Sequence, residues 1–495
     1  MELQHGTKIV RNLEAISKTT ARVEARLEPR VGIKRILQTE ARVFLSGHER
    51  EDTEVRINGR VVTRVIFIDE ADSFNSEERT NNFSEKIILS NSAMVGEIMA
   101  TAHVLEAKVV DNTAQIADAQ VQFEITLLGL TAKEVRFLSG MTGSLEFRTE
   151  KVRVNTWGQM VTSRFEVEER IDLDKSCEGV LSVDVIPTLR EIVVGEGKAT
   201  AKGQAIINIQ AVKKGEEQSI YNDHIEFDFS KTMQAKFLKI DDSVLGQVSV
   251  SNIEIRAESK DSPQLVVSAE LEFKGFSVTA EDVDCIADAF GFSNHLELRT
   301  SDIESLLTLP THHTNIEVDS NLAMGEKSVF ITRIHSVGQS TVSTLNILPV
   351  NDKVTIEGAL STNVIFECEE RQIHSHAIKV PFSSAIKIEG VTATHTIQAK
   401  VDVTQCKVRA RRGRELLVDA RLSVALSATT QATTRLATDV ISGEARAADD
   451  SAILIYTVAD GETEWDIAKR LNCPLSEVSI QDGRVFIYRQ HLVNF

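Results

Sequence analysis

Three stretches of this chain share one spacing, and that spacing restricts the fold more than any other feature. In each, apolar and polar residues alternate through a central glycine. They are Glu54 to Phe67 around Gly59, Gly197 to Ile209 around Gly203, and Asp352 to Phe366 around Gly358. Alternation of period two marks a half-buried strand, and a glycine inside it points to a bulge or bend. A Phe-Ser pair follows each time. Phe83 lies 24 residues after Gly59, Phe229 lies 26 after Gly203, and Phe382 lies 24 after Gly358. Successive glycines are 144 and 155 residues apart. This agreement reads as three copies of one domain.

After each Phe-Ser pair come further alternating strands, such as Ala100 to Val109, and then a second hairpin strand: Val121 to Leu127, Leu265 to Phe273, Leu416 to Val424. Strand runs every 10 to 15 residues indicate a mainly β protein, with tandem sandwich or barrel-like repeats. The expected organisation is an amphipathic N-terminal arm (1–28), repeats at 29–150, 151–305 and 306–447, and a small α+β domain at 448–495. Repeats of this length each bury a core, which predicts beads on a string. Short helices are expected at Glu281 to Phe290, where Val283, Ile286, Ala287 and Phe290 have helical spacing, and at Ala428 to Val440.

The 495 residues carry a formal net charge of −18, which argues against nucleic acid as a partner. The basic cluster Arg409, Arg411, Arg412 and Arg414 reads as a solvated hairpin tip. Met1 to Ala15 has no apolar signal core, and no run of about 18 apolar residues predicts a membrane span. Five scattered cysteines without a C-x-x-C pair fit reduced thiols in a cytoplasmic protein.

The last 45 residues change character. Tyr456-Thr457-Val458-Ala459-Asp460-Gly461-Glu462-Thr463-Glu464-Trp465-Asp466-Ile467-Ala468 reads as a strand, a glycine turn, a capping residue and an amphipathic helix. It resembles the opening of a LysM domain, with Glu462 in place of the usual Asp and Glu464 in place of an apolar residue. A short link, Ser479 to Arg484, then precedes the closing strand Val485 to Tyr488. The resemblance implies a partner or glycan site at Asp460, Gly461, Glu462, Thr463, Trp465, Asp482 and Tyr488. The shortened link favours a protein contact over a saccharide. Trp465 serves either core packing or ligand stacking.

The repeat pattern, with Val380-Pro381-Phe382-Ser383 as its closest local match, resembles the sporulation-associated SPOCS domain. Tandem copies ending in one LysM domain are similar to the coat morphogenetic proteins of clostridial spores. That resemblance implies a mother-cell cytosolic scaffold that binds the coat's basement-layer ATPase, with a LysM contribution. Gly59, Phe83, Gly203, Phe229, Gly358 and Phe382 would then define the repeats structurally.

No Walker loop, nucleophile elbow or His-Glu-x-x-His helix occurs. His374 and His376 share a strand face, and His312-His313 are adjacent, but no fixed Cys or carboxylate partner accompanies either pair. The reading is therefore a non-enzymatic scaffold without metal or cofactor, able to self-associate through sheet edges. The alternative is a protein that binds peptidoglycan or another N-acetylglucosamine polymer. A dispersed hydrolase is the third and weakest reading.

Overall fold

The computed structural model describes residues 1–89, 94–174, 176–214, 218–259, 262–324, 330–446 and 453–488. The chain is mainly β, in three copies of one two-sheet unit. The first contains β1 (Glu2–Leu27), β2 (Ile33–Glu51), β3 (Glu54–Asp69), β4 (Phe74–Ile88), β5 (Met94–Asn112) and β6 (Ala117–Thr142). A meander β2-β3-β4 packs on a sheet ordered β1-β6-β5. The second unit repeats this order with β7 (Leu145–Asp172), β8 (Cys177–Gly195), β9 (Lys198–Lys213), β10 (Ser219–Gln234), β11 (Ser243–Ser259) and β12 (Ser262–Gly291). In the third, two strands are split. It contains β13 (Asn294–Thr308), β14 (His312–Ala323), β15 (Ile331–Val337), β16 (Thr341–Val350), β17 (Lys353–Cys368), β18 (Ile373–Lys387), β19 (Thr396–Arg411) and β20 (Glu415–Ala445). Side chains alternate inward from both sheets to fill each core, as in a β-sandwich.

The repeated glycines and phenylalanines are cross-strand partners: Gly59 with Phe83, Gly203 with Phe229 and Gly358 with Phe382. The bulge lies on the neighbouring strand and not on the glycine's own. It faces Gly59 between Leu45 and Gly47, Gly203 between Leu189 and Glu191, and Gly358 between Thr344 and Asn346. The bulged backbone and the phenyl ring leave no room for a side chain. A Cβ on Gly59 would stand 2.5 Å from both the Phe44 carbonyl and the Phe83 ring. On Gly358 it would meet the Phe382 ring at 2.7 Å and the Ser343 carbonyl at 2.9 Å. The ring covers the glycine and the glycine admits the bulge.

Several expectations need correction. Residues 1–28 are not a free arm. β1 pairs with β6 along its whole length, as β7 does with β12 and β13 with β20, so the units begin at residues 2, 145 and 294 and not at 29, 151 and 306. The helices expected at 281–290 and 428–440 are parts of β12 and β20. There the strands carry bulges, at Ala287 and Thr438, and bury both faces. A bulge flips the alternation, and two-sided burial adds apolar residues of both parities. Together they imitate a helical period.

Nor are the units beads on a string. Beyond the end of β5, β1 and β6 continue as a ribbon, 2–13 against 130–142. Its counterparts are 145–157 against 278–291, and 294–308 against 429–445. The three ribbons bury one another. Leu138 and Met141, Ile286 and Ala289, and Ala437 and Val440 form one cluster beside the matching bulges at Ser139, Ala287 and Thr438. A second cluster joins Val135 and Phe137, Val283 and Cys285, and Leu436.

The meanders meet in the same three-way manner. Bulged residues Leu37, Leu181 and His335 occupy equivalent positions there. Each unit bonds to both others. Arg42 pairs with Asp184 at 2.8 Å, Gln210 Nε2 donates to Ser336 Oγ at 2.8 Å, and the Gln339 amide donates to Glu40 at 3.2 Å. His335 departs from the repeat. It is buried, neither ring nitrogen has a hydrogen-bond partner among the described residues, and Glu367 lies 3.6 Å away. Burial, with Arg333 adding to it, pushes its pKa down to about 4.

Candidate functional site

The C-terminal module is built from β21 (Ile453–Thr457), α1 (Glu464–Leu471), a 3-10 turn at Leu475–Glu477, β22 (Ile480–Gln481) and β23 (Arg484–Tyr488), with sheet order β21-β23-β22. Gly461 takes φ +83° in the turn, a conformation that costs glycine nothing. Thr463 caps α1. Its Oγ1 accepts from the Asp466 amide and the Asp466 carboxylate accepts from the Thr463 amide, a closed capping box. Glu464 and Asp466 in the first turn and Lys469 and Arg470 in the last match the helix dipole. Asn472 ends the helix at φ +54°. Ile467, Ala468, Val485 and Ile487 fill the small core.

Glu462 is a structural clamp in this loop. Its carboxylate accepts from the Tyr456 hydroxyl at 2.8 Å and the Ala459 amide at 3.0 Å, and pairs with Arg470 at 2.8 Å. The Ala459 bond first, then Tyr456, holds its pKa below the ordinary range. Asp460 and Gly461 are exposed, as is Asp482, which forms a tight turn with Gly483 at φ +48° and +71°. A bond from the Val458 amide to the Gly483 carbonyl, 3.0 Å, sets the two loops side by side. The Tyr488 backbone pairs with Ile453, and its side chain lies outside the described residues.

Trp465 faces the chain's own second ribbon. It is 7% exposed, with its ring edge-on to Phe290 at 5.2 Å and the Arg148 guanidinium 5.7 Å from its centre. Its Nε1 donates to Asp288 at 2.9 Å, and Lys469 donates to both oxygens of the same carboxylate at 2.7 and 2.8 Å. Burial raises the Asp288 pKa, but Lys469 and Trp465 outweigh it, and the group sits below its ordinary range. Asn472 donates to the Phe292 carbonyl at 2.8 Å.

The opposite side of the module is open. Ile453, Ile455 and Phe486 are 55%, 61% and 39% exposed, and Ile455 pairs directly with Phe486 on the outer face of the sheet. Sequence reasoning singled out none of Ile453, Ile455, Phe486, Asp288 and Lys469, and it placed Phe290 on an expected helix and not at this contact. The alternation of Ile453 and Ile455 against Leu454 and Tyr456 was the available signal for the outer face.

Among the described residues no group of three or more His, Cys, Asp or Glu side chains is placed to hold a metal, and no helix is long and apolar enough to cross a membrane. His374 stacks on Phe366 at 5.8 Å. Arg409 and Arg411 lie at the end of β19, and Arg412 and Arg414 in the turn that joins it to β20.

No curated protein and no solved structure matches the chain. Residues 331–411 match the family model described as SipL, SPOCS domain. The match runs from β15 to β19 and contains the Gly358–Phe382 pair, whose geometry the other two units repeat. The third unit is thus similar to the SPOCS domain, which supports a sporulation-related role for the protein.

Proposed function

We propose that this protein is a non-enzymatic scaffold of spore coat assembly. Its LysM-like C-terminal module docks a coat protein, with the basement-layer ATPase as the first candidate, on the mother-cell side of the forespore. The observation that carries the reading is the outer face of the module, where Ile453, Ile455 and Phe486 lie exposed together on a sheet whose other face is packed. Apolar side chains grouped in this way are a common mark of a protein contact. The three-unit body supplies the base, and β4, β10 and β18 stand at sheet edges that could serve lateral contacts or self-association.

Glycan binding is the weaker reading, because the aromatic ring best suited to stack on a sugar is already covered by Phe290. Titrating the full chain separately against the coat ATPase and against N-acetylglucosamine oligomers separates the two. The scaffold reading expects ATPase binding and no saccharide binding. Saccharide binding that disappears in Trp465→Ala would instead favour a glycan reader.

A further inference from the structure

We propose that the tip of the second ribbon is a dock that fixes the orientation of the C-terminal module, so that partner binding depends on body residues lying outside the partner face. The matched bulges at Ser139, Ala287 and Thr438 align the three ribbon tips residue by residue. One residue on stand Gly140, Asp288 and Asp439. Two further on stand Thr142, Phe290 and Ile441, and two beyond those Ser144, Phe292 and Gly443. The second tip alone combines a carboxylate with two aromatic rings, and the module sits on that tip.

The chemistry of the contact is specific. An indole N–H only donates, so a buried tryptophan needs an acceptor, and Asp288 supplies it at 2.9 Å. Lys469 lies four residues after Trp465 on the same helix face and binds the same carboxylate. Asn472 ties the helix end to the Phe292 carbonyl. Two attachments along α1 and a third at its C-terminus leave neither sliding nor rotation free. Helix α1 therefore faces the ribbon on one side and its own sheet on the other. The apolar outer face of that sheet points away from the body.

This rests on the docking reading above, and the test keeps the two apart. Asp288→Ala and Phe292→Ala are made in the full chain. Amide hydrogen exchange is followed at α1 and in the sandwich strands, and affinity is measured against the coat ATPase. The expected result for each variant is at least tenfold faster exchange in residues 464–471, unchanged exchange in the sandwiches, and about tenfold weaker ATPase binding. Unchanged exchange at α1 in both variants overturns the dock. So does faster exchange with ATPase affinity intact. Failure of the unaltered chain to bind the ATPase removes the docking reading and with it the partner-dependent half of the proposal. The exchange data still decide whether the ribbon tip holds the module.

Discussion

In the three sandwiches each device recurs: glycine under phenyl ring, bulge opposite glycine, ribbon bulge, apolar contact at the three-way junction. The C-terminal module is built from other devices, each used once, and it meets a surface that also occurs once. Repetition accounts for the closed body, since each unit presents equivalent positions to its neighbours. Leu138, Ile286 and Ala437 need no partner outside the repeat. The departures are more informative. At the ribbon tips, Asp288, Phe290 and Phe292 distinguish the second copy. At the meander junction, His335 stands where the other copies have Leu37 and Leu181.

The strongest way to break the repeated half is Leu138→Ala. The side chain is fully buried among all three ribbons, so the loss should be about 3–5 kcal/mol, read as a fall in the denaturation midpoint. Gly59→Ala comes next. Its Cβ would collide with the Phe83 ring and the Phe44 carbonyl, costing roughly 1–3 kcal/mol. Gly203→Ala and Gly358→Ala should behave alike, and a neutral effect at one of them would show that the copies are not equivalent there.

His335→Leu sharpens the comparison by restoring the repeat. Removing two unpartnered buried nitrogens should stabilise the protein by about 1–2 kcal/mol at pH 7. The effect of pH follows from the lowered pKa. The unfolded chain takes up a proton near the ordinary histidine value, and the folded chain does so only near about 4. His335 therefore takes away stability as pH falls between those values, roughly 3 kcal/mol in total, and adds no further pH dependence below them. Urea midpoints at pH 7 and pH 5 should differ less in His335→Leu than in the unaltered chain. The smallest expected effect is in the unrepeated half. Thr463→Ala removes one cap, costs about 1 kcal/mol, and should raise exchange only in α1.

The recurrence of the glycines and phenylalanines was legible in the sequence because a strand repeats every two residues and the spacing recurred, whereas their cross-strand pairing and the bulge on the neighbouring strand were not. The outer strand of each unit was not. β1 finds its partner in β6, with Glu2 opposite Thr142, and nothing local in residues 1–28 signals that distance. The ring closure was hidden for a similar reason, since it depends on single bulged residues such as Leu37 and Leu181. Trp465 was half legible. Its surroundings in the chain allowed packing or stacking, and its acceptor Asp288 is 177 residues away. The capping box at Thr463 is a local device and was readable from four consecutive residues.

The affinity of the full chain for the coat ATPase, measured with and without Ile455→Lys, tests the central claim most directly. Ile455 is 61% exposed on the outer face, so the substitution should leave the melting temperature unchanged. The account expects binding at least tenfold weaker, because a charge then sits in the apolar contact. Equal affinity for the two proteins would contradict it and would move the docking surface away from the C-terminal module.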